Sequence, residues 1–113
     1  MKKIIFIALV LSGIAYGSSG EEIAIKNGCM DCHKMASKNI APAFLGTARR
    51  NIRLDGDNAR VTLANAIKNG SHGKYKNFLN EKMPAFPNLS DDEVNTLVSW
   101  ILDAYKDYRN KNR

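Results

Sequence analysis

Cys29-Met30-Asp31-Cys32-His33 is the stretch that decides the fold. Two cysteines three apart can add across the two vinyl groups of a haem. The next residue is then placed to bind the iron through an imidazole nitrogen, so Cys-x-x-Cys-His reads as c-type haem attachment. The chain holds 2 cysteines, both in this motif, so no other thiol competes for them. The motif predicts Cys29 and Cys32 as the covalent haem thioethers and His33 as one axial iron ligand.

Upstream of the motif, the chain opens like an export signal. Met1-Lys2-Lys3 makes a positive start, Ile4 to Ile14 is apolar apart from Ser12 and Gly13, and Ala15 and Gly17 are the small residues a signal peptidase requires. This predicts a signal peptide over 1–17, with cleavage after Gly17 in preference to Ser19 or Gly20. The apolar run is far short of the ~20 residues that span a bilayer, and no cysteine follows it directly to carry a lipid anchor. The expected location is the periplasm, with no membrane insertion after cleavage. An oxidising compartment suits controlled thiol chemistry, although it would equally suit a disulfide.

Cleavage after Gly17 leaves 96 of the 113 residues, one small domain over 18–113. Loss of Lys2 and Lys3 lowers the formal charge from +6 to +4, and two haem propionates would lower it further. A modestly basic surface of this kind steers toward acidic partners. Nucleic acid is excluded as a partner, because the basic residues are dispersed, no recognition motif is present and the compartment is wrong.

Helical signals recur while strand signals are weak. Ser19 and Glu22 form a capping-box pattern for a first helix, which Gly28 ends or loosens before Cys29. A second helix is predicted from about Asn58 to Asn69, capped by Asp57, with Ala59, Leu63, Ala66 and Ile67 as its apolar face and Gly70 as its stop. Ser90-Asp91-Asp92-Glu93 is a capping box with acids in the first turn. After it Val94, Leu97, Val98, Ile101, Leu102 and Tyr105 recur at helical spacing, with Trp100 on a neighbouring flank. Arg109, Lys111 and Arg113 read as a basic, frayed tail. Ser71 to Leu89 holds Gly73, Pro84 and Pro87 without periodicity and reads as loop. The expectation is an all-α fold of three to five short helices and long loops, whose thin core a haem would fill.

The second axial ligand must come from elsewhere. Met30 sits inside the attachment loop and Met35 is held on the same side as His33. Met83 lies fifty residues downstream of His33 in an irregular segment with ample chain to reach the far face. Thioether sulfur is a soft donor that raises the reduction potential relative to a second histidine. His72, in the polar turn Gly70-Ser71-His72-Gly73, reads as solvated, leaving Met83 ahead of it.

Two other classes compete. A haem enzyme or gas sensor with a vacant sixth position would need a distal pocket of catalytic groups and usually a longer chain. A zinc or thiol–disulfide module could use Cys29, Cys32, His33 and His72, but the adjacent Cys32 and His33 with a distant His72 fit paired ligand spacing poorly, and a thioredoxin-type role wants a βαβ context.

Over about Glu21 to Leu102 the chain resembles the short bacterial class I cytochromes c, the soluble monohaem electron carriers. Beyond Cys29–His33, the resemblance rests on Ala41-Pro42-Ala43-Phe44, Ile67-Lys68-Asn69-Gly70-Ser71, Met83-Pro84, and Leu89-Ser90-Asp91-Asp92-Glu93 leading to Trp100-Ile101-Leu102. It implies a small cytochrome c fold, with N- and C-terminal helices crossing over one covalently bound haem c and Ile25 and Gly28 packing near Leu97 and Trp100. It implies a His33/Met83-ligated iron, a Pro42 carbonyl that accepts a hydrogen bond from His33, and Tyr75 as donor to a propionate. The implied function is transport of single electrons between respiratory-chain components, without catalysis on a substrate. A quinol:cytochrome c reductase would be the type of donor, and a terminal oxidase, nitrite reductase or peroxidase the acceptor, with the carrier a monomer.

Two departures from the family pattern stand out. Eight residues separate Tyr75 from Met83, a longer loop than the family's, and Ala85 and Phe86 follow Pro84 where a second proline and a polar residue are usual; Asn88 is the nearest replacement donor. Arg49, Arg50, Lys76 and Asn77 are further polar residues that could approach a propionate, though each reads equally well as solvated surface.

Overall fold

Two serines open the first and last helices by the same device. In this computed structural model, which describes residues 19–37 and 39–113, Ser19 Oγ accepts from the Glu22 amide while Glu22 accepts from the Ser19 amide, both at 3.2 Å. Ser90 and Glu93 make the same exchange at 3.0 and 3.1 Å. Each pair satisfies two otherwise orphaned amides at a helix start. The export signal predicted over 1–17 lies outside the described residues.

Helices α1 (Gly20–Lys26), α2 (Cys29–Cys32), α3 (Phe44–Asp55), α4 (Ala59–Asn69) and α5 (Asp91–Lys111) follow in order, with two-residue strands β1 (Ser71–His72) and β2 (Lys82–Met83) between α4 and α5. The architecture is thus helical as the sequence predicts. The strands pair antiparallel, Ser71 with Met83 and His72 with Lys82. Helix α5 is the spine, in contact with α1, α3 and α4. Val94, Leu97, Val98 and Ile101 of α5 meet Ile23 and Ala24 of α1, Phe44 and Ala48 of α3, and Leu63 and Ile67 of α4 in one buried cluster.

Several expectations are corrected. Helix α3 is absent from the sequence reading because its buried face is half polar: Thr47 and Asn51 share the inner side with Phe44 and Ala48, which blurs the apolar period. Helix α4 begins one residue after its predicted start, but Asp57 does not cap it. The chain arrives from α3 through a 3₁₀ turn, Gly56–Asn58, and the N-cap position, Asn58, makes no side-chain capping bond. The basic tail is helical to Lys111, closed by Asn112 donating to the Tyr108 carbonyl at 2.8 Å.

The crossing of the terminal helices also shifts. Ile25 is 62% exposed, and Gly20 rather than Gly28 meets Trp100: a Cβ on Gly20 would lie 2.2 Å from Trp100 Cβ and 2.9 Å from the Thr96 carbonyl. One hydrogen at Gly20 lets the two backbones approach, and Ile23 and Ala24 then face inward in place of Ile25.

These contacts set three expected outcomes in chemical unfolding of the haem-loaded protein. Gly20→Ala overpacks the crossing and costs about 1–3 kcal/mol. Gly46→Ala, in α3 with nothing within 4 Å of its added Cβ, stabilises by roughly 0.4–1 kcal/mol. Ser90→Ala removes the cap of α5 and costs about 1 kcal/mol. The Ser90 hydrogen bonds also hold the Glu93 carboxyl below its usual range, as Lys68 does for Asp91. Both carboxylates therefore favour the folded state above about pH 4, and that contribution is lost as pH falls through their lowered folded values. Lys68→Ala should flatten the acid limb of a stability-versus-pH curve, and Ser90→Ala, which keeps the backbone amide that is the larger influence on Glu93, should flatten it less.

Candidate haem cleft

Gly28 turns the chain at φ +74°, a left-handed conformation that costs glycine little, and α2 starts at the next residue. Its single turn presents Cys29 and Cys32 to an apolar cleft. His33 leaves the helix in extended backbone while its amide still donates to the Cys29 carbonyl at 2.9 Å. Burial pushes the Cys29 thiol up, its local backbone hydrogen bond opposing and Asp31 and Cys32 adding to the rise.

The His33 ring is fixed from two sides. Nδ1 lies 2.6 Å from the Pro42 carbonyl, and a carbonyl oxygen can only accept, so Nδ1 carries the proton and Nε2 keeps its lone pair. The ring stacks on Phe44 at 4.7 Å between centroids. Burial lowers the His33 pKa, with the Pro42 bond opposing, which favours the neutral imidazole that a metal needs. Backbone bonds from Ala41 to Cys32, Phe44 to Lys34 and Leu45 to Met35, at 2.8–3.1 Å, hold the Pro42 loop in place.

Met83 reaches the same cleft from the other half of the chain. It stands half-buried on β2, opposite Ser71 of β1. Gly70, at φ +84°, allows this approach: a Cβ there would lie 2.8 Å from the Met83 carbonyl and 3.2 Å from the Ala85 amide. The Phe86 amide donates to the Ile67 carbonyl at 2.9 Å and ties the segment after Met83 to the end of α4.

The cleft is open to solvent at its mouth and mostly apolar in its lining, the character of a cofactor site. Cys29, Cys32, His33, Pro42, Tyr75 and Met83 all line it. His72 borders it too, exposed on β1, whereas Met30 and Met35 pack against the core. Among the described residues no three His, Cys, Asp or Glu side chains converge as a metal site, so the zinc arrangement has no geometric support. Two thiols, an imidazole nitrogen and a thioether around an apolar cavity are the donor set a covalently held haem requires, and the residues present fit that group.

Sequence reasoning missed the polar cluster behind the cleft. Asn51 is 1% exposed, and its Nδ2 donates to the Thr47 carbonyl at 2.7 Å and to the Tyr75 hydroxyl at 3.0 Å. Arg50 stacks 4.7 Å over the Tyr75 ring and donates to the Lys74 carbonyl at 3.1 Å. Arg49, Lys76, Asn77 and Asn88 do not line the cleft. Only the inward spacing of Phe44, Thr47, Ala48 and Asn51 could have signalled this face. Asn51→Ala strips the donor from two acceptors and should destabilise by about 1–3 kcal/mol, against about 0.5–1.5 kcal/mol for Tyr75→Phe, both read by chemical unfolding.

Comparison with known proteins agrees with the cleft. The Cytochrome c family model matches residues 18–104. Cytochrome c-551 of Pseudomonas aeruginosa is 36% identical over 108 residues, covering 90% of this chain and 97% of that one. Cytochrome c-552 of Nitrosomonas europaea is 35% identical over 95 residues, 84% of this chain and 85% of that one. The crystal structure of wild-type Nitrosomonas europaea cytochrome c552 superposes with a TM-score of 0.64 at 34% identity, covering 74% of this chain and 98% of that one. The chain belongs to the cytochrome c family and, as that family implies, carries one covalently bound haem c.

Proposed function

We propose that the protein is a soluble periplasmic electron carrier, a monomer that shuttles single electrons between respiratory-chain components and catalyses no reaction on a substrate. The observation that carries this reading is the convergence of Cys29, Cys32, His33 and Met83 on one apolar cleft. In this reading Cys29 and Cys32 would hold the haem through thioether bonds, and His33 and Met83 would both bind its iron. When bound, haem c supplies a one-electron ferric/ferrous couple.

The protein's own groups tune that couple. Pro42 holds the His33 proton on Nδ1 and aims Nε2 into the cleft. Phe44 restrains the ring, and the apolar lining limits access of water. Met83 contributes a soft sulfur that favours the reduced state. With His33 and Met83 both bound, the iron would have no open site for oxygen or peroxide. Tyr75, whose hydroxyl oxygen already accepts from Asn51, has its own proton free to donate to a propionate.

The donor in this scheme is a quinol:cytochrome c reductase-type complex, and the acceptor a terminal oxidase, nitrite reductase or peroxidase. Residues 1–17 serve as the export signal, cleaved between 17 and 20, and 18–113 form the mature domain. Among the described residues no helix is long and apolar enough to cross a membrane.

Redox titration of the haem-loaded protein tests the ligand assignment. Met83→Ala should lower the potential by on the order of 0.1 V, within the roughly 0.8 V over which axial ligands set haem potentials, and should admit carbon monoxide to the ferrous form. His72→Ala should change neither property. An unchanged potential in Met83→Ala, or carbon monoxide binding by the unsubstituted protein, contradicts the assignment.

A further inference from the structure

The positive charge is concentrated away from the cleft. Lys106, Arg109, Lys111 and Arg113 against the single acid Asp107 give residues 106–113 a net charge of +3, against a net +4 for the whole of 18–113. Helix α5 runs to Lys111, seven residues past the last position matched by the family, so this charged end is an addition to the common domain. At 100° per residue, Tyr105, Lys106 and Arg109 fall on one side of the helix. Asp107 lies on the opposite side, and Asp103 sits beside Lys106.

That basic side borders a groove. Ile52, Leu102 and Tyr105 give it apolar and aromatic lining, and Arg60, Lys106 and Arg109 contribute cations. Two of these cations are already oriented: Arg109 lies 5.9 Å over the Tyr105 ring, and Arg60 donates to the Asn95 carbonyl at 3.3 Å. None of the lining residues is shared with the haem cleft. Asp57 and Asp103 also line it, which disfavours a small free anion and favours a longer ligand that spaces its acids onto the cations.

We propose that this groove docks an acidic protein segment carrying apolar side chains, and that it does so without covering the haem cleft. Charge complementarity selects an acidic partner, and the apolar floor selects a segment that also has side chains to bury. Tyr and Arg are the residue types enriched at protein interfaces. A membrane is the weaker fit, because past Leu102 the helix has no Leu, Ile, Val or Phe to insert. Docking here tethers the protein while the cleft stays free for a second contact. The proposal does not depend on the carrier reading, since binding at the groove and ligation of the iron are read by separate signals.

The test titrates the ferrous, haem-loaded protein with a synthetic peptide of alternating glutamate and leucine, followed by amide chemical shifts, with phosphatidylglycerol vesicles in parallel. The expected result is saturable binding that shifts Leu102, Tyr105, Lys106 and Arg109 and weakens as salt rises. Lys106→Glu with Arg109→Glu should weaken it roughly tenfold or more, because like charges then face each other across the contact, and the paired Gln variant should weaken it less. A glutamate–serine peptide should bind less tightly. Equal peptide binding by the charge-reversed protein overturns the proposal. So do shifts centred on the haem cleft, or binding to vesicles alone.

Discussion

The hydrogen bond between His33 Nδ1 and the Pro42 carbonyl, at 2.6 Å, is the contact on which the cleft depends. It fixes which ring nitrogen keeps a lone pair, and it joins the attachment helix to the loop that leads into α3. The same loop returns three backbone hydrogen bonds around His33 and delivers Phe44 both to the core and to the imidazole face. A single acceptor thus links the chemistry of the ring to the packing of the fold. Partners of this kind orient a metal ligand and raise its basicity.

Met83 is held by a different logic. No local signal fixes it: its strand is two residues long, and its position follows from the bareness of Gly70 and the tie from Phe86 to Ile67. The two halves of the site are therefore built by separate segments and meet only in the folded chain. Helix α5 makes that meeting rigid, because it packs on α1, next to the cysteines, and on α4, which leads into the Met83 hairpin.

What could be read in the sequence was what short-range chemistry dictates. The Cys29–His33 spacing, the serine caps at Ser19 and Ser90, and the apolar period of α5 are each complete within a few residues. What stayed hidden depends on distant neighbours. Helix α3 shows a mixed inner face because Asn51 turns inward to meet Tyr75, 24 residues away. The Gly20–Trp100 crossing exists only once both helices are packed, so the inward choice of Ile23 over Ile25 had no local mark. Asp57 looked like a cap because the sequence does not announce that α3 hands the chain directly to α4. The family resemblance supplied Pro42, a role that no reading of an isolated proline would assign.

The most direct measurement is a pair of visible spectra, ferric and ferrous, from protein exported by a host competent in cytochrome c maturation, followed by a haem-stained denaturing gel. The account predicts a c-type ferrous spectrum, haem retained on the denatured chain, and the weak far-red ferric band of sulfur ligation. A colourless protein from that host would contradict the haem site, and covalent haem without the far-red band would contradict ligation by Met83.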